Sequence, residues 1–186
     1  MKKFFLLAAV AMTLATAQAQ NQPARMRMEV AEAETDKGEY SIFTYKDTDE
    51  DDSFGYYLSL GRVTDFLGAD EILGMEVQNI HEVTIWLGAT TDEALATIGT
   101  ILDLYDKDVD TAIELSGRAA TSGFQLGEPV TSTCVVVKKP LGGKRLQFLF
   151  PRGKRQARAY LSKSVLKELR TSFKLDIRLH PRQHRK

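Results

Sequence analysis

The sequence predicts an α+β domain in which a mainly antiparallel sheet carries two packed helices. Three observations lead there. Alternating apolar and polar stretches follow one another across short turns, as hairpins do. Two stretches carry apolar residues at helical spacing behind a capping residue, one in mid-chain and one near the end. The order is strands, helix, strands, helix, with no strand–helix–strand alternation of the kind that builds a parallel sheet. A β-sandwich with one inserted helix is the alternative arrangement.

Taken in order, residues 25–34 alternate with Met26, Met28 and Val30 on one parity, and Asp36-Lys37-Gly38 marks a turn into a partner strand over 39–45. An acidic loop over 47–53 leads to a third strand, 54–63, with Tyr56, Leu58 and Leu60 on one face. Residues 64–78 read as an irregular connection or a short helix near 69–73, and 80–87 as a fourth strand. Thr90 and Glu93 have capping-box spacing, with Asp92 in the first turn, and Leu95, Ile98, Leu102 and Tyr105 follow at helical spacing. This predicts a helix over about 91–105. Residues 109–116 alternate again and 118–128 read as loop. Residues 130–138 are apolar on both parities, as in a central strand covered on both faces. Turns at 140–143 and 151–154 separate two further strands, 144–150 and 155–161. Ser162 can cap a last helix running to about Ser172, with Leu166, Leu169 and Phe173 as its apolar stripe. A short strand over 174–179 and a loose basic tail from Pro181 are expected to end the chain.

Lys2 and Lys3, an apolar run of about twelve residues from Phe4 to Ala15, and the Ala17-Gln18-Ala19 triplet stand in the order of a cleavable signal peptide. The run is too short to span a bilayer as a helix. Residues 1–19 are therefore expected to be removed, leaving residues 20–186 as one exported domain, periplasmic or extracellular. The leader is similar to those of Gram-negative exported proteins. No later segment reaches the length of a membrane helix, so no transmembrane segment is expected in the mature chain. Cys134 is the only cysteine, which excludes an intrachain disulfide, and its apolar setting predicts a buried, inert thiol.

The formal net charge is zero, with 25 basic and 25 acidic residues, but the charges are segregated. Residues 20–137 hold 7 basic and 23 acidic residues, whereas residues 138–186 hold 16 basic and only 2 acidic. Such an asymmetry speaks to partners and association, not to fold. Lys163, Lys167, Arg170 and Lys174 recur at helical spacing, Arg152, Lys154 and Arg155 crowd a hairpin tip, and Lys144 and Arg145 open the strand before it. Guanidinium and ammonium groups gathered in this way suit phosphate, sulfate or carboxylate. Three readings compete for this surface: a solvated face, neutralisation of the acidic half of the same chain or a neighbouring copy, and binding of an acidic glycan, a lipid headgroup or an acidic protein. Nucleic acid is not expected of an exported chain.

Asp47, Asp49 and Asp51 have the alternate spacing that supplies oxygens to calcium. The match to an EF-hand loop fails at Asp52, where the turn glycine belongs, and at Leu58, where the bidentate glutamate belongs. A solvated acidic loop is the simpler reading, and no other cofactor is implied. His81 reads as a core histidine on a strand, and His180 and His184 as tail residues. No G-x-S-x-G elbow occurs, and Gly142-Gly143-Lys144 is a turn rather than a phosphate loop. No motif specifies a reaction. The sequence points to a non-enzymatic exported domain that docks on an anionic envelope component or partner. A small hydrolase with an unrecognised site and a self-associating structural subunit, its oligomeric state open, are the alternatives.

Overall fold

The computed structural model describes residues 25–35, 38–47, 54–67, 77–121, 125–152 and 155–184. Among these, eight strands form a single sheet: β1 (Arg25–Thr35), β2 (Gly38–Asp47), β3 (Gly55–Leu67), β4 (Val77–Gly88), β5 (Ala112–Thr121), β6 (Glu128–Lys138), β7 (Lys144–Arg152) and β8 (Arg155–Leu161). Spatial order equals chain order and every pair is antiparallel, so the sheet is one continuous meander. Helix α1 (Thr91–Leu104) interrupts it between β4 and β5, and α2 (Lys163–Leu179) follows β8. The α+β class and the antiparallel sheet stand as expected, and the single sheet replaces the sandwich alternative. The sheet is not flat, however: it curls into a half-barrel. Register shifts at Glu29/Ala31, Tyr56/Tyr57, Ser59/Arg62 and Glu82/Thr84 place extra residues in β1, β4, β3 and β5 respectively, and bulges bend and twist a strand locally.

The curl brings β8 back toward β2. The Tyr40 hydroxyl donates to the Tyr160 carbonyl at 3.2 Å, and Tyr105, at the end of α1, donates to the Leu161 carbonyl at 2.7 Å. Two tyrosines thus satisfy consecutive carbonyls at the end of an edge strand, a position that otherwise invites pairing with another chain.

The inner face forms the main core. Ile42, Leu58 and Ile85 stand opposite one another across β2, β3 and β4, and Cys134, Phe148 and Ala159 across β6, β7 and β8. Both rows share one core with Ile98 and Ile101 of α1 and Leu166, Leu169 and Phe173 of α2, all fully buried. Each such Leu, Ile or Phe contributes about 1.5–3 kcal/mol relative to an exposed position. The α1 capping box is present as expected. Glu93 N–H donates to Thr90 Oγ1 at 3.2 Å, and the Glu93 carboxylate accepts from Thr90 N–H at 3.3 Å and from Ala89 N–H at 2.7 Å. Thr97 Oγ1 donates to the Leu87 carbonyl, tying the helix to β4.

A second, smaller aromatic cluster lies on the outer face. Phe43, Tyr57 and Trp86 are cross-strand neighbours, with Tyr45 edge-on to Tyr57. Gly55 makes this packing possible, because a Cβ there would stand 1.7 Å from the Trp86 ring. The Arg27 guanidinium lies 3.8 Å from the centre of the Phe43 ring and binds the Glu82 carboxylate through two nitrogens, at 2.7 and 2.9 Å.

Several sequence expectations change. β3 and β4 run on through 64–67 and 77–79, so those residues are strand; 68–76, including the short helix expected near 69–73, lie outside the described residues. β5 begins at Ala112 rather than near 109 and takes in Arg118–Thr121, so these four residues are strand and not loop. β6 is fully buried on one face only: Ser132, Cys134 and Val136 are buried, while Thr133, Val135 and Val137 remain partly open. α2 does not stop near Ser172 but absorbs 174–179, where a strand was expected. Residues 181–184 form a turn docked on the sheet rather than a loose tail. The signal-peptide segment lies outside the described residues.

Cys134 is buried, and desolvation pushes its thiol up to about 12 from 9.0. Three units correspond to a roughly thousandfold smaller thiolate fraction near neutral pH. Iodoacetamide is therefore expected to leave Cys134 unmodified in the native protein and to label it promptly in urea. Equal rates in the two conditions would show the thiol to be accessible.

Candidate anion-binding surface

The candidate surface is built on α2. Ser162 caps the helix, accepting from Val165 N–H at 3.4 Å. Val165, Leu166, Leu169 and Phe173 turn inward and are buried. At 3.6 residues per turn, Lys163, Lys167, Arg170 and Lys174 fall together on the flank that leads from this buried face toward solvent. Because the helix continues to Leu179, Arg178 joins the same stripe. Lys167, Lys174 and Arg178 are exposed, while Arg170 is half-buried.

The amino-terminal end of the stripe meets the carboxyl end of α1. Lys163 Nζ lies 2.6 Å from Asp106 Oδ1 and 5.9 Å from the centre of the Tyr105 ring. Lys144 Nζ donates to the Lys107 carbonyl. The hydrogen bond and charge of Lys163 hold the Asp106 carboxyl below its usual range, with Lys167 and Lys144 adding to the effect. Lys144, Lys163 and Lys167 thus gather around the end of a helix, where free carbonyls favour cations.

Arg145 stands apart from this group. Its β7 neighbour Leu146 points inward, so Arg145 points outward, and its guanidinium stacks 3.9 Å from the centre of the Tyr160 ring. Gln147 donates to the Tyr160 hydroxyl on the same outer surface. Arg152 and Arg155 face each other in register at the end of the β7–β8 hairpin. Their side chains, and all of Lys154, lie outside the described residues. The structure therefore brings together Lys144, Lys163, Lys167, Arg170 and Lys174, and leaves Arg145 on the other side of the sheet.

Of the expected calcium ligands, Asp47 ends β2, where its backbone pairs with Arg25. Asp49 and Asp51 lie outside the described residues, as does the Asp47 side chain. Among the described residues no group of three or more His, Cys, Asp or Glu side chains is placed to hold a metal ion. His81 is on β4 opposite Val63, its side chain outside the described set.

A polar chain that the sequence reading missed closes the carboxyl end of α2. Tyr56 Oη lies 2.9 Å from His184 Nδ1, His184 Nε2 lies 2.9 Å from Asp176 Oδ2, and Asp176 Oδ1 lies 2.7 Å from His180 Nδ1. With a proton on Nε2, His184 donates to the Asp176 carboxylate and its Nδ1 accepts from the Tyr56 hydroxyl. The His184 side chain is only 3% exposed, stacked on Tyr56 and edge-on to Phe173. Burial and then the Asp176 charge push the Tyr56 hydroxyl up to about 12. The Tyr56–His184 contact, with Asp176 behind it, pins the end of α2 to β3. Only the Asp176–His180 step had a sequence signal, the four-residue spacing of one helix face; His184 lies beyond the helix end, in the turn that follows.

No protein-family model matches the chain, and neither a curated protein nor a solved structure matches it.

Proposed function

We propose that this is an exported, non-enzymatic domain that binds an anionic component of the cell envelope through the cationic stripe of α2. The observation that carries the reading is the placement of Lys163, Lys167, Arg170, Lys174 and Arg178 along one flank of a helix whose inner face is committed to the core. A rigidly seated helix holds its charges at fixed spacing, so several can engage one polyanion together.

The test replaces Lys167, Lys174 and Arg178, all exposed, with serine. Retention on a heparin column is expected to fall, with elution at clearly lower salt, because exposed charge attraction is screened within about 10 Å at 0.1 M ionic strength. The melting temperature should stay nearly unchanged, since surface substitutions away from packing contacts shift stability by about 0.5 kcal/mol or less. Unchanged elution would remove the stripe as the contact.

A further inference from the structure

We infer that the anionic component is a lipid bilayer surface, which α2 meets with its carboxyl-terminal half. The inference rests on the anion-binding reading above and adds a second observation, two exposed leucines. Leu175 and Leu179 are 52% and 62% exposed, although their helix has a buried face available. They are one turn apart on the flank opposite the cations, so the solvent-facing side of this half-helix runs from Lys174 and Arg178 across to Leu175 and Leu179. Arg182, in the turn that follows, is also exposed.

Charge alone suits a sulfated glycan as well as a membrane. Apolar side chains held beside cations suit the headgroup–acyl boundary, where leucine enters the apolar layer and Lys or Arg stays at the phosphates. A glycan offers leucine nothing comparable. The two acids of the helix do not oppose this arrangement strongly. The Asp176 carboxylate is held by His180 and His184 and faces the sheet side. Glu168 lies two turns nearer the amino-terminal end than Leu175. The polar chain to Tyr56 fixes the end of the helix against the core, so the leucines are presented without the cost of ordering a free segment.

The experiment compares the full chain with two variants, Leu175→Ser/Leu179→Ser and Lys167→Ser/Lys174→Ser/Arg178→Ser. Each is mixed with vesicles of phosphatidylcholine and phosphatidylglycerol, with vesicles of phosphatidylcholine alone, and with heparin resin. The apolar run at 4–15 is common to all three proteins, so the difference between vesicle types is the readout. The unaltered chain is expected to partition onto the anionic vesicles in excess of the neutral ones. The lysine–arginine variant should lose roughly fivefold per cation removed, about a hundredfold in all. The leucine variant should lose about tenfold or more on anionic vesicles while keeping its heparin retention. Equal partitioning of the leucine variant and the unaltered chain would overturn the inference. Retention on heparin without preference for anionic vesicles would overturn it too, while leaving the anion-binding reading in place. Failure on both supports would end both.

Discussion

Replacing Phe173 with alanine is expected to lower folding stability by about 3–5 kcal/mol, among the largest losses for a single side chain in α2. Phe173 is fully buried at the point where helix, sheet and carboxyl-terminal turn meet. Its ring lies 5.4 Å from that of Tyr56 and 6.0 Å from that of His184, so truncation removes contacts to both and leaves a void beneath them. Close-packed interiors relax only partly around such a void, and the lost transfer energy and the cavity add. For a chain of this length each kcal/mol lowers the melting temperature by roughly 2–4 °C. Urea or thermal unfolding reads the effect directly. Leu175→Ala, two positions along the same helix but exposed, is the internal comparison and is expected within about 0.5 kcal/mol of the unaltered protein. Similar losses for the two variants would show that the faces of α2 are assigned wrongly.

Alkaline pH is the second large lever. Tyr56 keeps its proton in the folded state up to about 12, against 10.0 for a free tyrosine. Above about pH 10 the unfolded chain releases that proton and the folded chain does not. The stability linked to Tyr56 is therefore complete below about pH 10 and is lost as pH rises toward 12, up to about 3 kcal/mol. Tyr105, buried with its hydroxyl on the Leu161 carbonyl, is shifted further in the same direction and extends the loss. Urea unfolding in steps from about pH 8 upward should show a flat region and then a decline. Tyr56→Phe, which also gives up the bond to His184, is expected to be less stable by on the order of 1 kcal/mol at neutral pH and to decline less steeply above pH 10. An identical decline in both proteins would mean that Tyr56 is not the group involved.

The hairpins were legible because their signals are local. Gly38 and the Gly142-Gly143 pair sit at positive φ in turns, and a turn needs only its own residues to be recognised. Helix α1 was legible for the same reason, since Thr90 and Glu93 are three residues apart. The curl was not. It depends on bulges at places such as Tyr56/Tyr57 and Ser59/Arg62, where pairing slips by a residue without altering the alternation that marks a strand. The end of α2 was misread because Leu175, Ile177 and Leu179 alternate with charged residues, the pattern of a half-buried strand. In the helix only Ile177 packs against the core, and the flanking leucines point out.

The cation spacing on α2 could be read without the fold, because it is a property of one helix. That Arg145 departs from it could not, because the departure follows from which way β7 faces. His184 was hidden for a different reason. Its partner Tyr56 is 128 residues away in the chain, and no local pattern links the two.

The meander carries a consequence for how the molecule is made. Every strand partners its immediate neighbour in the chain, so the sheet can zip up in sequence as the polypeptide emerges, with little chain to bring together at each step. The concave side, however, waits for α2, which follows all eight described strands in the chain. Until Leu166, Leu169 and Phe173 arrive, the trough that they fill stands open to solvent. A premature stop ahead of Ser162 would leave the chain in that uncovered form, open to proteases and chaperones.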